Sequence, residues 1–130
     1  MKQLIQLFSL LTLSGFITPA NAADGPLLNQ ALTNMPENPE VLVLEIDIAP
    51  GAESPPHRHN AHVFVYVLEG TMNMQVAGGE LVTLEAGEMF YEDPDSTHTV
   101  SQNASSTEPA KILVQFIKSI GAAVSVPAAQ

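Results

Sequence analysis

The chain has 130 residues, the size of one ordinary domain, and carries fourteen Asp and Glu against four Lys and Arg, for a formal net charge of −10. A surface of that sign repels nucleic-acid phosphates and anionic lipid headgroups, and so disfavours both as partners. Cysteine is absent. That excludes thiol catalysis and leaves stability to the core, a metal or an oligomer rather than to disulfides.

Residues 1–22 read as a cleavable signal peptide. Met1-Lys2 gives a positive start, Leu4 to Ile17 is an apolar run, and Thr18-Pro19-Ala20-Asn21-Ala22 ends it with an Ala-x-Ala site. The run is too short for a comfortable transmembrane span. The expectation is a periplasmic or secreted protein with no membrane association after cleavage. The mature chain from Ala23 keeps only Arg58, Lys111 and Lys118 as cations. Residues 23–39 are rich in Asn, Pro and small side chains, and form an N-terminal arm with one short helical turn around Leu27 to Leu32.

The domain proper is expected over residues 40–130. Leu42, Leu44, Ile46 and Ile48 alternate with Val43, Glu45 and Asp47, the period-two pattern of a half-buried strand. Pro50-Gly51 ends it. Val63 to Leu68 is an unbroken, β-branched apolar run that reads as a strand buried on both faces. Glu69-Gly70 is a turn, and Met72, Met74 and Val76 resume the alternation as core residues. Ala77-Gly78-Gly79 turns into Leu81 to Leu84, and Met89-Phe90-Tyr91 is a short strand closed by Asp93-Pro94-Asp95. His98 to Ser101 and Ala110 to Lys118 follow, separated by the polar loop 103–109, with a last short strand at Val124 to Val126. Short strands punctuated by Gly and Pro turns specify an all-β sandwich or barrel.

Three of the four histidines fall within six residues, His57, His59 and His62, and the fourth is His98. Residues two apart on a strand share a face, so His57 and His59 aim at one point while Arg58 turns away. Imidazole suits a divalent transition metal such as Fe, Mn, Ni or Zn, and two ligands from one strand need another from elsewhere. His98, just after a Pro-containing turn, is the distant candidate. Glu92 precedes that turn and is a conceivable base, but a turn-flanking acid is ordinarily solvated.

This pattern resembles the cupin superfamily. The first motif of that family is Gly, five residues, His-x-His, three or four residues, Glu, six residues, Gly. Gly51, His57, His59 and Gly70 fall in register with it. The second motif, Gly, five residues, Pro-x-Gly, two residues, His, is matched at Gly87 and His98, with Asn103 near the family's Asn; Asp93 and Asp95 replace its usual Pro and Gly, and Pro94 between them keeps a turn there. The resemblance implies a double-stranded β-helix, or jelly-roll barrel, with a metal near one mouth and an N-terminal arm that pairs two copies into a homodimer. The slot for the metal-binding Glu, however, holds Val63.

Three readings of the site stay open. One is a three-His site of His57, His59 and His98. A second adds His62 in place of Glu, if the Asn60-Ala61 loop swings it inward against strand alternation. The third is a site that lost its metal with its Glu. A three-His site would be more positive by one charge than the His-His-Glu-His version, and would favour an anionic substrate or reduced oxygen. The corresponding functions are a metal-dependent oxygenase or isomerase of a small molecule, a non-catalytic metal- or ligand-binding module of the cell envelope, or an interaction domain with a degenerate site.

Overall fold

The computed structural model describes residues 25–128, so the expected signal peptide at 1–22 lies outside the described residues. Nine strands follow in order: β1 Pro39–Ile48, β2 His57–Arg58, β3 His62–Glu69, β4 Thr71–Val76, β5 Val82–Glu85, β6 Met89–Glu92, β7 His98–Asn103, β8 Ala110–Ser119 and β9 Val126–Pro127. No helix occurs among the described residues. The turn expected at Leu27 to Leu32 is absent. A single turn of a short, Asn- and Pro-flanked segment cannot offset the cost of helix nucleation without packing.

Two antiparallel sheets make the barrel. One has the order β1-β8-β3-β6 and the other β5-β4-β7-β2-β9. Strands β1 and β8 pair over their full length, from Pro39 opposite Ser119 to Ile48 opposite Ala110. Between the sheets lies the core, built from alternate residues of each strand: Val63, Val65 and Val67 of β3, Ile112, Val114 and Phe116 of β8, and Met72 and Met74 of β4. Strand β3 differs from expectation in one respect. Its Val63, Val65 and Val67 are buried, whereas Phe64, Tyr66 and Leu68 on the opposite face are only half-buried, because just one of its faces meets the second sheet.

Two residues of the motifs have plain structural duties. Gly70 turns β3 into β4 with φ of 77°, and a Cβ there would stand 2.7 Å from the Pro109 carbonyl oxygen, so both conformation and space require glycine. Asn103 is buried, and its Nδ2 donates to the carbonyls of Ile48, Ala49 and Glu108 while its Oδ1 accepts from Ser105 N–H. One amide thereby fastens the loop after β7 to the end of β1, satisfying backbone groups that a loop would otherwise bury unpaired.

Candidate metal centre

Strand β2 is two residues long and lies between β7 and β9. It places His57 directly opposite His98 of β7. His59 follows the strand, and Asn60 then adopts φ of 45°, a left-handed conformation that Asn tolerates better than most residues and that reverses the chain into β3. One nitrogen from each of His57, His59 and His98 lies within 4.8 Å of the others. The ring centroids of His57 are 4.6 Å from His59 and 5.2 Å from His98. Phe116 meets the ring of His59 edge-on and Phe90 stacks on that of His98, so both rings are held by packing.

The tautomers follow from the partners. His57 Nδ1 donates to the Pro55 carbonyl at 2.8 Å and His59 Nδ1 to the Val124 carbonyl at 2.6 Å. A carbonyl can only accept, so in the neutral rings both Nε2 atoms carry lone pairs. Those two atoms stand 3.0 Å apart. Lone pairs facing at that distance repel unless a cation or proton lies between them. Both ring nitrogens of His98 are buried without a hydrogen-bond partner, an arrangement costly enough to call for an explanation. The set of convergent, unprotonated or unsatisfied imidazole nitrogens fits a divalent transition-metal ion. Burial holds the pKa of His59 below the ordinary histidine value, with His57 and His98 adding to the effect, while the Val124 hydrogen bond and the Glu92 carboxylate oppose it. The ring therefore stays neutral at neutral pH, the form a metal ligand needs.

His62 is placed elsewhere. Strand alternation puts it with Phe64 on the face of β3 opposite Val63. Its Nδ1 shares a hydrogen bond of 2.7 Å with the Tyr91 hydroxyl, the two rings are stacked, and the residue is 1% exposed. The Asn60 turn does not swing it inward, and His62 is not in the cluster of three.

Glu92 overturns the expectation of a solvated acid. At the end of β6 it is 4% exposed, with Oε1 3.1 Å from His98 Nδ1 and Oε2 3.6 Å from His59 Nε2. The turn after it pairs its own polar groups, Asp93 accepting from the Asp95 N–H and the Ser96 hydroxyl, while alternation along β6 sends Glu92 inward. A carboxylate at the centre also cancels the extra positive charge that a vacant Glu slot implies. The sequence signal available was an acid on the strand leading to His98, at a site whose usual carboxylate is missing. What it lacked was the register of β3 on β6.

The centre opens into a cavity of about 320 Å³. Val65, Met74, Ile112 and Val114 line its apolar part, and Asp47 and Glu53 join the lining with no Lys or Arg among the residues that form it. The volume suits a small molecule.

The family of the Cupin domain matches residues 44–116. Among curated proteins, none matches in sequence. Among solved structures, an RmlC-like cupin from Shewanella frigidimarina is 26% identical, with TM-score 0.54, covering 63% of this chain and 69% of its own. The DMSP lyase DddQ from Ruegeria pomeroyi is 18% identical with TM-score 0.60, covering 68% of this chain. A salicylate 1,2-dioxygenase from Pseudaminobacter salicylatoxidans is 21% identical with TM-score 0.52, covering 58% of this chain. The matched region spans 43% of the lyase and 21% of the dioxygenase, and at these identities the likeness is one of fold.

Proposed function

The chain belongs to the cupin family, and from that premise we propose that it is an exported enzyme that acts on a small molecule with one divalent transition-metal ion. His57, His59 and His98 hold the ion, and the substrate enters the cavity beside them. The observation that carries the reading is the pair of facing Nε2 atoms of His57 and His59, 3.0 Å apart, with both Nδ1 atoms committed to carbonyls. With neither a metal ion nor a proton between them this geometry is repulsive. With a metal ion it is a half-built ligand shell.

When bound, the ion supplies Lewis acidity or redox capacity to a substrate that reaches an open position. The protein supplies the rest. The Pro55 and Val124 carbonyls fix the orientation of two rings, Phe116 and Phe90 pack against His59 and His98, and the apolar wall of Val65, Ile112 and Val114 excludes water from the bound molecule. Solved structures of similar fold include a lyase and a dioxygenase, which supports chemistry on small molecules in this barrel. The reaction class proposed is that of an oxygenase or an isomerase.

The leader-like residues 1–22 support export, to the periplasm or outside the cell. The free edge of β1, with Val41 and Val43 exposed, supports pairing of two copies into a homodimer. A second reading, a non-catalytic metal- or ligand-binding module of the cell envelope, uses the same residues and differs only in turnover.

Elemental analysis of protein purified without added metal tests the reading. About one equivalent of transition metal is expected, lost in a His57→Ala, His59→Ala variant. Metal-free wild-type protein that also takes up none from solution refutes it. Oxygen uptake or substrate turnover by the loaded protein then separates the enzyme from the binding module.

A further inference from the structure

We infer that Glu92 is the fourth protein ligand of this centre, its carboxylate moved one strand sideways from the position that Val63 now occupies. The inference rests on the proposed metal site and names a residue of it. Val63 of β3 is fully buried and pairs directly with Glu92 of β6. Directly opposed residues of an antiparallel pair point to the same face with Cβ atoms about 4.5–5.5 Å apart. A carboxylate at either position therefore looks into the same space, and a Val at one with a Glu at the other preserves both the charge and the apolar packing of the pair.

Distances bring the carboxylate to the edge of a ligand shell. Metal–nitrogen bonds of about 2.0–2.1 Å and metal–oxygen bonds of about 2.0–2.2 Å put neighbouring ligand atoms roughly 3.0–3.5 Å apart. Here His57 Nε2 and His59 Nε2 are 3.0 Å apart and Glu92 Oε1 and His98 Nδ1 3.1 Å, both within that spacing; Glu92 Oε2 and His59 Nε2, at 3.6 Å, lie just outside it, and the carboxylate stands beside the cluster of three rings rather than in it. Glu92 is not merely orienting His98. At 3.1 Å its oxygen lies off the direction a ring N–H would need, and His98 Nδ1 makes no hydrogen bond. The terminal torsion of Glu is broad, so a small rotation brings an oxygen to the point where the three rings converge. The centre then joins the sheets: the histidines come from the side of β2 and β7, and the carboxylate comes from β6 across the cavity. A carboxylate buried to this extent is costly unless paired or coordinated, and a cation shared with three imidazoles removes that cost.

The test uses the mature protein and Co(II), whose visible spectrum reports ligand number and geometry. Glu92→Gln keeps the size of the side chain and removes the anionic ligand. It is expected to weaken Co(II) binding by more than about tenfold, to change the Co(II) spectrum, and to shrink the rise in Tm on adding metal. The apo variant should melt no lower than apo wild type, because an uncompensated buried charge has been removed; a merely structural glutamate would lower it. The exchanged pair, Val63→Glu with Glu92→Val, should restore affinity to within a few-fold of wild type. Failure of wild type to bind Co(II) defeats the metal site itself. Wild-type binding with Glu92→Gln unchanged in affinity and spectrum overturns this inference alone, as does a folded exchange variant that binds no better than Glu92→Gln.

Discussion

His59 and His62 are three residues apart and live in opposite worlds. One faces the cavity, gives its Nδ1 proton to the Val124 carbonyl, and aims a lone pair at His57. The other is turned to the outer face of the four-stranded sheet, where it stacks on Tyr91 and shares a hydrogen bond with its hydroxyl. Both are largely buried, so burial alone does not mark a ligand. What separates them is the left-handed turn at Asn60 and the alternation of β3 that follows. Convergence marks the site: the buried Nε2 of His62 also lacks a hydrogen-bond partner, but that ring stands alone against Tyr91, whereas His57, His59 and His98 bring their nitrogens together.

Substitution breaks the pair most sharply. Removing His57 and His59 together should lower metal affinity by about 100-fold or more, since even outer partners of metal ligands cost about 10–100-fold. His62→Ala should leave affinity within about twofold when both are measured by titration of the same metal. It should instead cost roughly 1–3 kcal/mol of stability in denaturant unfolding, through the cavity and the lost hydrogen bond. A His62→Ala variant that folds normally but loses metal would merge the two classes.

The pH dependence sharpens the same contrast. Metal and protons compete for the ring nitrogens, so bound metal should decline as pH falls below about 6.5. The lowered pKa of His59, set chiefly by burial, means that its ring stays neutral to lower pH than an ordinary histidine, and its share of the competition begins later on acidification. Metal retained unchanged to about pH 4 would transfer the ligand role to carboxylates.

Tyr91→Phe deletes the hydroxyl on which His62 rests and should cost about 1 kcal/mol with metal affinity unchanged. The smallest effect is expected away from both histidines. Glu40 is held below its usual value of 4.5 chiefly by its hydrogen bond from Lys118, aided by the Gly121 N–H and opposed by burial. A lowered acid contributes stability above its unfolded value and loses it as pH falls through the folded one. Glu40→Gln should therefore flatten the acid limb of the stability curve slightly, which unfolding midpoints between about pH 5 and 3 would show.

Much of this was legible in the sequence because strands announce themselves by period two. The paired methionines of β4 are buried where the pattern places them, the alternation of Leu42 to Ile48 recurs except at the exposed Ile46, and the apolar run of β3 is a strand, buried on one face rather than two. The convergence of His57, His59 and His98 also followed from the His-x-His spacing, although His59 lies just past β2 rather than on it, and from a second motif downstream. The last strand falls at Val126–Pro127 rather than at Val124 to Val126, leaving the Val124 carbonyl free to meet His59. Glu92 was illegible for a physical reason. Whether an acid beside a turn faces solvent or core depends on the register of β6 against β3, a tertiary fact that no local pattern carries. The face taken by His62 likewise hinged on one residue, Asn60, whose left-handed conformation is permitted by its side chain but not dictated by it.

The most direct test is a crystal structure of the metal-loaded protein with anomalous data at the absorption edge of the metal. The account predicts a single strong peak about 2.1 Å from His57 Nε2 and His59 Nε2, within bonding distance of His98, and distant from His62. A peak beside His62 and Tyr91, or at surface carboxylates with the three rings left empty, would contradict it.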